Sequence, residues 1–437
     1  MKRVLIITYY WPPTGGSGVQ RWVKFAKYLP QEGWQPVIYT PLNPEMISKD
    51  ESLLADIPVE AEVIKTPIRE PYAFYNRLSG GKKEVNPLNS SKKGLLKRLA
   101  VWVRGNFFIP DPRVGWVRPS VAFLVKYLEE HPVDVIVTTG PPQSMHLIGL
   151  GLKKRTGVKW IADFRDPWTE MFYFKHMGLW PLAERKHRIL EQDVLDSADG
   201  IISVSPPVAE DFRKKTRTPV YLVTNGFDED DFTVTGPAAD GGTFSIVHTG
   251  LFAADGNPLR LWDALAAKCS QDSMFRQALR IRLAGKTDHE IIEAIRQRGL
   301  GANLEELGYL PHDATVRLQR QANMLILPLR REPEYAKVLP GKIFEYLASR
   351  RPVLGIGQED GAASAILRDS GAGEMYDWEN MQSMVAFIDR EWERFLSGEP
   401  GGNTSDISGY SRRALAARLA GTLEGFTGRS TLGMNKY

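Results

Sequence analysis

Short apolar segments alternate with helical segments along nearly the whole chain, and this alternation restricts the fold more than any other feature. RVLIIT (3–8), VDVIVTTG (133–140) and KWIADF (159–164) are apolar runs of the length of a buried strand. Continuous apolar strands are typical of parallel sheets that helices cover on both faces. We therefore expect an α/β fold built on parallel sheets.

The alternation begins a second time after residues 224–242, which are rich in glycine, aspartate and proline. The first strand of this second half is TFSIVHTG (243–250). A loop of that composition between two periodic regions predicts a domain boundary. We expect an N-terminal domain over 1–226 and a C-terminal domain over 227–405, with a final helix at about 406–430 that packs back on the first domain.

The composition excludes several classes of protein. The 56 basic and 52 acidic residues give a net charge of +4, which is too balanced for general nucleic-acid binding. No run of about 18 apolar residues occurs, so we expect no transmembrane helix. The single cysteine, Cys269, rules out an internal disulfide and fits a reducing compartment such as the cytoplasm.

A glycine-rich loop follows the first strand, in TYYWPPTGGSGVQRWVKFAKYL (8–29). Gly15, Gly16 and Gly18 stand where a strand turns into a helix, and such a turn can cradle a phosphate with backbone N–H groups. Their spacing disfavours a Rossmann dinucleotide site, and the missing Lys-Ser/Thr pair excludes a P-loop. A tight connection without any ligand is an equally good interpretation of this loop.

A second candidate site lies in LPGKIFEYLASRRPVLGIG (339–357). Gly341 and Lys342 open a helix there, and together they can hold a diphosphate. Glu345 lies one turn later, where its carboxylate can accept hydrogen bonds from the two hydroxyls of a ribose. The alternative is that Glu345 only compensates the helix dipole.

The order of YYWPPTGGSGVQR, ADFRDPW (162–168), TNGFDEDDF (224–232) and LPGKIFEYLASRRPVLG resembles glycosyltransferase family 4, in particular bacterial members that build surface polysaccharides. This resemblance implies the GT-B fold, in which two Rossmann-like domains face each other across a cleft. It also implies a nucleotide-sugar donor, UDP- or GDP-linked, held mainly by the C-terminal domain. Retention of anomeric configuration, a lipid-linked glycan acceptor, and no metal or other cofactor are further expectations.

The resemblance assigns roles to residues of this chain. The loop at Gly15, Gly16 and Gly18 is expected to reach the donor's diphosphate and its sugar. Donor binding is assigned to Gly15, Gly16, Gly18, Gly341, Lys342, Glu345 and Lys286. The catalytic residues expected are Asp166, Lys342 and Lys286, and those expected to bind the acceptor are Asp163, Arg165 and His146.

The residues themselves leave alternatives open for the N-terminal candidates. Asp163, Arg165 and Asp166 follow a strand in ADFRDPW, where they could bind the acceptor or orient a base. They could equally form an Arg–Asp pair that only pins the loop. His146 begins the helix after TTGPP, and a histidine in that position is more often a capping or packing residue.

The sequence also departs from the family pattern. Many members carry two glutamates eight residues apart, but Lys337 stands where the first would be, so Glu332 or Glu334 would have to substitute. An Arg and a Lys usually follow the first strand of the second domain, and Leu251 and Asn257 stand there instead. Lys286 and Arg260 are the candidates for that positive charge.

A basic amphipathic segment, residues 92–108, falls outside the α/β pattern. Its apolar residues recur at helical spacing with lysines and arginines between them, as in helices that lie on anionic membranes. We therefore expect peripheral binding to the inner face of the cytoplasmic membrane; the alternative is a helix that packs on its own domain. Rival functions are a nucleotide-sugar epimerase and a non-catalytic sugar-nucleotide-binding protein.

Overall fold

The structure is a computed structural model that describes residues 1–46, 49–70, 95–233, 242–399, 401–403 and 405–427. The chain forms two compact units. The N-terminal unit comprises Met1–Thr224 together with Arg412–Tyr437, and the C-terminal unit comprises Asn225–Ser411. Each unit contains one parallel sheet with helices around it, so the predicted fold of two Rossmann-like domains is confirmed.

The sheet of the N-terminal unit has seven parallel strands in the order β3-β2-β1-β4-β5-β6-β7. These strands are β1 (Lys2–Ile7), β2 (Trp34–Pro41), β3 (Glu62–Thr66), β4 (Val135–Gly140), β5 (Lys159–Phe164), β6 (Gly200–Ser203) and β7 (Val220–Leu222). The helices are α1 (Ser17–Tyr28), α2 (Leu95–Phe107), α3 (Val114–Glu130), α4 (Ser144–Thr156), α5 (Pro181–Ser197) and α6 (Pro206–Lys215).

Both faces of this sheet are buried, because successive side chains of a strand point to opposite sides. Val4 and Ile6 of β1 pack in one apolar cluster with Trp22 of α1, and Leu5 and Ile7 pack in the other. The C-terminal helix, Arg412–Glu424, adds its leucines to the cluster around Trp22 and so completes the N-terminal unit.

The sheet of the C-terminal unit has six parallel strands in the order β10-β9-β8-β11-β12-β13. These are β8 (Phe244–Thr249), β9 (Leu279–Ala284), β10 (Leu304–Gly308), β11 (Met324–Pro328), β12 (Val353–Ile356) and β13 (Gly373–Tyr376). The helices are α7 (Leu259–Gln271), α8 (Ser273–Ala278), α9 (His289–Gln297), α10 (His312–Gln321), α11 (Lys342–Ser349), α12 (Ala362–Asp369) and α13 (Met381–Ser397); the C-terminal helix of the other unit is α14 (Arg412–Glu424). One apolar cluster surrounds this sheet.

Each sheet has one point where the strand order reverses. In the N-terminal unit β1 lies beside β4, and in the C-terminal unit β8 lies beside β11. Connections leave such a point in opposite directions and open a crevice beyond the carboxyl ends of the strands, where open α/β sheets bind ligands. The glycine-rich loop follows β1, and the loop that begins at Gly250 follows β8.

Candidate active site

The glycine-rich loop lies at the carboxyl end of β1. Gly15 and Gly16 end the loop, and α1 begins directly after Gly16, whose φ is 113°. Gly18 lies in the first turn, and a Cβ atom there would be 1.6 Å from Nη1 of Arg165. Because glycine has no Cβ, the guanidinium group can lie directly against the backbone of α1.

Arg165 connects the ends of neighbouring strands. It follows β5, and its backbone N–H donates to the carbonyl of Gly140 at 3.0 Å. Its Nε also donates to Gly140, and its Nη2 donates to the carbonyl of Pro141. Burial lowers the pKa of Arg165, although Asp166 and Asp163 oppose the shift. A guanidinium remains protonated, so a positive charge is fixed where β4 and β5 end.

Asp163, in contrast, lies in the core with no exposed surface. One of its oxygens accepts from Nη2 of Arg21 at 2.8 Å, and the other accepts from Trp22 Nε1 at 2.8 Å and Thr139 Oγ1 at 2.9 Å. Burial alone would raise its pKa, but Arg21 and the hydrogen bonds outweigh burial and hold the pKa below its ordinary value. The geometry favours the pinning alternative for Asp163, with Arg21 rather than Arg165 as its partner.

Asp166 lies half-buried in the loop after β5, beside Arg165. Burial raises its pKa, and the positive charge of Arg165 opposes the rise. A carboxyl group with a raised pKa is suited to exchange protons with a substrate hydroxyl. Of the three charged residues in ADFRDPW, Arg165 and Asp166 thus lie in one loop, and Asp163 anchors that loop from its buried position in β5.

His146 lies in the first turn of α4 and is fully buried. Its Nδ1 is 2.8 Å from Oγ1 of Thr138, and its ring stacks on Phe164 with the centroids 4.3 Å apart. Burial lowers its pKa to about 3, so the imidazole is neutral at physiological pH. Its Nε2 has no partner among the described residues, and neither has the side chain of the adjacent Gln143, which the sequence did not single out.

In the C-terminal unit, Gly341 precedes α11 and Lys342 is its first residue. The ammonium of Lys342 donates to Nε2 of His248 at 2.9 Å and to the carbonyl of Leu251 at 3.3 Å. Burial lowers the pKa of Lys342 to about 8, although Glu345 opposes the shift. Lys342 therefore lies across the reversal point, with its charged end against the loop after β8.

The buried side-chain amide of Gln319 fixes the carboxylate of Glu345. Nε2 of Gln319 donates to the carboxylate at 3.2 Å and to Oγ1 of Thr249 at 3.0 Å. The hydroxyl of Tyr346 accepts from the backbone N–H of Thr249 at 3.0 Å. The half-buried carboxylate of Glu345 keeps other lone pairs available for a ligand.

The strands beside this site end in glycines. Gly250 and Gly285 have φ values of 89° and 107°, and a Cβ at Gly285 would be 2.4 Å from the carbonyl oxygen of Gly250. Lys286 follows Gly285, is exposed, and its carbonyl accepts from the N–H of Phe252 at 2.9 Å. The predicted cations Lys286 and Lys342 thus lie on either side of the loop after β8.

A third cation, which the sequence did not indicate, contacts the loop after β8. Arg330, which follows β11, makes an ion pair of 3.0 Å with Asp255. Arg260, the other predicted candidate, pairs instead with Glu379 on the surface at 3.0 Å. Leu251 and Asn257 occupy the two positions where many family members carry an Arg and a Lys. Leu251 is exposed, and Asn257 accepts a hydrogen bond from Trp262 Nε1 at 2.8 Å. Arg330 is thus better placed than Arg260 to supply positive charge.

The position of the missing glutamate lies in a short 3-10 helix, Pro333–Lys337, where Lys337 is exposed. Glu332 comes directly before this helix, and its Oε2 is buried with no hydrogen-bond partner in the part of the chain that the structure describes. A buried carboxylate oxygen without a partner is costly, so Glu332 rather than Glu334 has the geometry of a ligand-binding substitute.

The predicted amphipathic helix is present as α2, although residues 92–94 lie outside the described part of the chain. Trp102 and Phe107 of α2 meet Trp180, with ring centroids 4.9–5.8 Å apart. Phe107 and Trp180 remain more than half exposed. The surface of α5 beside them continues with residues at helical spacing, all exposed: Leu182, Arg185, Lys186 and Ile189. We refer to these seven residues as the aromatic–basic surface.

None of the helices in the described ranges is long and apolar enough to cross a membrane. The same ranges contain no group of three His, Cys, Asp or Glu side chains arranged to hold a metal ion.

Several solved structures share the fold over nearly their whole length. WaaG, a glycosyltransferase involved in lipopolysaccharide biosynthesis, is 14% identical, with 98% of this chain and 96% of WaaG covered and a TM-score of 0.53. A trehalose-6-phosphate structure from E. coli bound with UDP-2-fluoro glucose is 11% identical, with coverage of 98% and 97% and a TM-score of 0.53. A putative UDP-N-acetylglucosamine 2-epimerase from Listeria monocytogenes is 10% identical, with coverage of 97% and 96% and a TM-score of 0.53.

At these identities the similarity shows the fold alone, which is that of the GT-B glycosyltransferases. No curated protein matches the sequence. The sequence itself matches the family described as Glycosyltransferase Family 4 over residues 16–231, a range that includes the glycine-rich loop, His146 and the ADFRDPW segment. Residues 16–231 therefore form a glycosyltransferase family 4 domain, and the chain is a glycosyltransferase.

Proposed function

We propose that this glycosyltransferase is a retaining, metal-independent enzyme that transfers a sugar from a UDP- or GDP-sugar to a lipid-linked glycan in cell-surface polysaccharide biosynthesis. The observation that carries the proposal is the arrangement of Lys342 and Glu345 on the first turn of α11, at the reversal point of the C-terminal sheet. The name of WaaG supports the polysaccharide context, and the sugar nucleotide bound in the E. coli structure supports the class of donor.

The C-terminal unit would bind the nucleotide. Lys342 would hold the diphosphate, because a lysine ammonium is a compact charge that binds phosphate well. Lys286 and Arg330 flank the same loop after β8 and would share that negative charge. Glu345 would accept hydrogen bonds from the ribose hydroxyls while Gln319 fixes the orientation of its carboxylate.

Catalysis would consist mainly of stabilising the leaving diphosphate. In a retaining transfer, the acceptor hydroxyl attacks the anomeric carbon from the face that the nucleotide leaves. Negative charge then develops on the diphosphate, and cations fixed in advance stabilise it more than mobile solvent does. We assign this work to Lys342 and Lys286.

The N-terminal unit would bind the acceptor. Arg165 presents a fixed positive charge beside Gly18, and Asp166 in the same loop has a raised pKa. Asp166 would take the proton of the acceptor hydroxyl, and Arg165 would orient the acceptor. Asp163 would hold the loop in place through Arg21.

A nucleotide-sugar epimerase is the second candidate, because the Listeria monocytogenes protein with a similar fold carries that name. The family match over the N-terminal unit favours the transferase. An epimerase would convert a UDP-sugar to its epimer, whereas a transferase without acceptor would release the free sugar slowly. A non-catalytic binding protein would do neither.

Calorimetry with UDP, GDP and their sugars tests the assignment of the donor site. Glu345→Ala should weaken nucleotide binding by about 1.5–3 kcal/mol, because a charged acceptor of hydrogen bonds is lost. Glu290→Ala is the matched control, since Glu290 is also an acidic residue in the first turn of a helix of the same unit. Equal affinities of the two variants would mean that Glu345 only compensates the helix dipole.

A further inference from the structure

Gln143 is a buried residue whose side-chain amide makes no hydrogen bond to any residue that the structure describes. It lies between β4 and α4, and 5% of its surface is exposed. Neither Oε1 nor Nε2 of its amide has a hydrogen-bond partner within the described ranges of the chain. Buried amides are almost always paired, because leaving their donors and acceptors unmet is costly. Such a residue indicates a group that binds there from outside.

The unpaired atoms converge on one point. A Cβ atom placed on Gly140 would lie 2.5 Å from Oε1 of Gln143 and 2.5 Å from Nε2 of His146. Both atoms therefore face the Cα of Gly140, at the carboxyl end of β4. Nε2 of His146 also has no partner among the residues described. Because glycine has no Cβ, both polar side chains can lie directly against the backbone at this end of β4.

Gln143 is not needed to cap the helix behind it. It occupies the N-cap position of α4, but its side chain makes no capping hydrogen bond. Asp111 takes over that role, because its carboxylate accepts from the N–H of Ser144 at 2.8 Å and from the Ser144 hydroxyl at 2.9 Å. The loop is therefore ordered by other residues, and the amide of Gln143 is left available.

The hydrogen bonds of His146 indicate which of its nitrogens carries the proton. Oγ1 of Thr138 accepts from Nε1 of Trp160 at 2.9 Å and lies 2.8 Å from Nδ1 of His146. The threonine hydroxyl can donate its own hydrogen to Nδ1, and the imidazole proton then resides on Nε2. The atoms that converge on Gly140 are then a donor on His146 and an acceptor on Gln143, with the amide donor beside them.

We propose that Gln143, together with His146, binds neighbouring hydroxyl groups of a sugar ring and thereby selects the sugar. Neutral donors and acceptors side by side match vicinal hydroxyls, each of which both donates and accepts, better than they match an anion. The proposal rests on the proposed function, since it assigns a sugar to the N-terminal unit of a glycosyltransferase. The sugar is either the one transferred or the terminal sugar of the acceptor.

Gln143→Leu tests the subsite, because leucine has a similar size and no polar atoms. In the free protein the variant should be as stable as the wild type or more stable, since an unpaired buried amide is removed. Asn303→Leu is the matched control. Asn303 is equally buried, but its Nδ2 donates to the carbonyls of Arg276 at 2.8 Å and Leu279 at 3.0 Å, so this variant should melt at a lower temperature.

Binding is then measured in two arms. Calorimetry compares the affinities for UDP-glucose, UDP-galactose and GDP-mannose with those for UDP and GDP. If the subsite holds the donor sugar, the gain in affinity of a sugar nucleotide over its nucleotide alone should fall at least about tenfold in Gln143→Leu. If the subsite holds the acceptor sugar, donor affinities stay unchanged and the thermal shift caused by methyl glycosides is lost instead. Loss in either arm supports the proposal.

Two results would overturn it. One is a melting temperature that falls in Gln143→Leu as in Asn303→Leu, which would show that the amide has a structural role. The other is a stable variant that keeps both kinds of binding. Binding of nucleotides without a sugar tests the proposed function separately, because these ligands should bind through the C-terminal unit. A wild type that binds no nucleotide but whose glycoside shift depends on Gln143 would contradict the proposed function and support the subsite.

Discussion

The ammonium of Lys342 donates a 2.9 Å hydrogen bond to Nε2 of His248, a buried imidazole near the carboxyl end of β8. Burial, together with the charge of Lys342, holds the pKa of His248 well below its ordinary value, so the ring is neutral and can accept this bond. The lysine is thereby fixed at the loop after β8, where burial lowers its own pKa to about 8. Its charge consequently titrates within an accessible pH range.

We predict that nucleoside diphosphates bind less tightly as the pH rises through about 8. Bound diphosphate favours the protonated lysine and so raises its pKa, which means that binding takes up protons between the pKa values of the free and bound protein. Calorimetry of UDP binding at pH 8.5, in buffers of different ionisation enthalpy, measures this uptake. Lys342→Met should abolish the uptake, and the same uptake in that variant would contradict the role of Lys342.

Gly18→Ala should reduce activity with only a small loss of stability. The new methyl group would lie where Nη1 of Arg165 now is, and a guanidinium at the end of a flexible side chain can move away. Gly421→Ala is the control, because no atom outside the adjacent helix backbone lies within 4 Å of its Cβ position near the C-terminal end of α14.

A double-mutant cycle shows whether Gly18→Ala acts through Arg165. Combining Gly18→Ala with Arg165→Ala should lower kcat/KM no further than Arg165→Ala alone, because the displaced group is already absent. Losses that simply add would mean that Gly18 is required for another reason, such as direct contact of the backbone with the ligand.

Asp163→Asn should destabilise the N-terminal unit strongly. The substitution leaves the guanidinium of Arg21 buried without its counter-charge, which costs about 3–5 kcal/mol in the free energy of unfolding. Urea denaturation measures this loss. Glu184→Gln, which breaks the exposed pair with Arg188, is the control and should have little effect. A fully stable Asp163→Asn protein with reduced activity would restore Asp163 as an acceptor-binding candidate.

The fold was predictable from the sequence because the central strands are almost wholly apolar. Leu5 and Ile7 of β1 have no exposed surface, and such runs are visible without an alignment. β3 was not predicted, because Glu62 and Lys65 interrupt its apolar residues and the strand is only half-buried. The predicted boundary at 226/227 compares with 224/225 in the structure.

The candidate site was only partly predictable. Lys342 and Glu345 are neighbours in sequence on one helical turn, so a local motif reveals them. Asp163 finds its partner Arg21 across 142 residues, and such pairing requires the fold. Gln143 carries no sequence signal at all, since its significance is that its buried amide makes no hydrogen bond to the described residues.

The aromatic–basic surface should bind anionic bilayers reversibly. Tryptophan and phenylalanine side chains insert at the headgroup level, and nearby basic residues contribute on the order of 1 kcal/mol each. Replacing Phe107 and Trp180 by serine, or Arg185 and Lys186 by glutamate, should release the protein from phosphatidylserine liposomes in co-sedimentation. High salt should weaken binding by screening. A wild type that fails to co-sediment even at low salt would show that this surface has another use.

The central claim is that this chain cleaves a nucleotide sugar with retention of configuration. Proton NMR of the protein incubated with UDP- and GDP-sugars in the absence of acceptor tests this claim directly. It identifies both the released sugar and the anomer that is released first. We predict slow release of the sugar in the anomeric form of the donor, unaffected by EDTA and lost in Lys342→Met. Release of the opposite anomer, conversion to an epimer, or no cleavage of any donor would contradict this account.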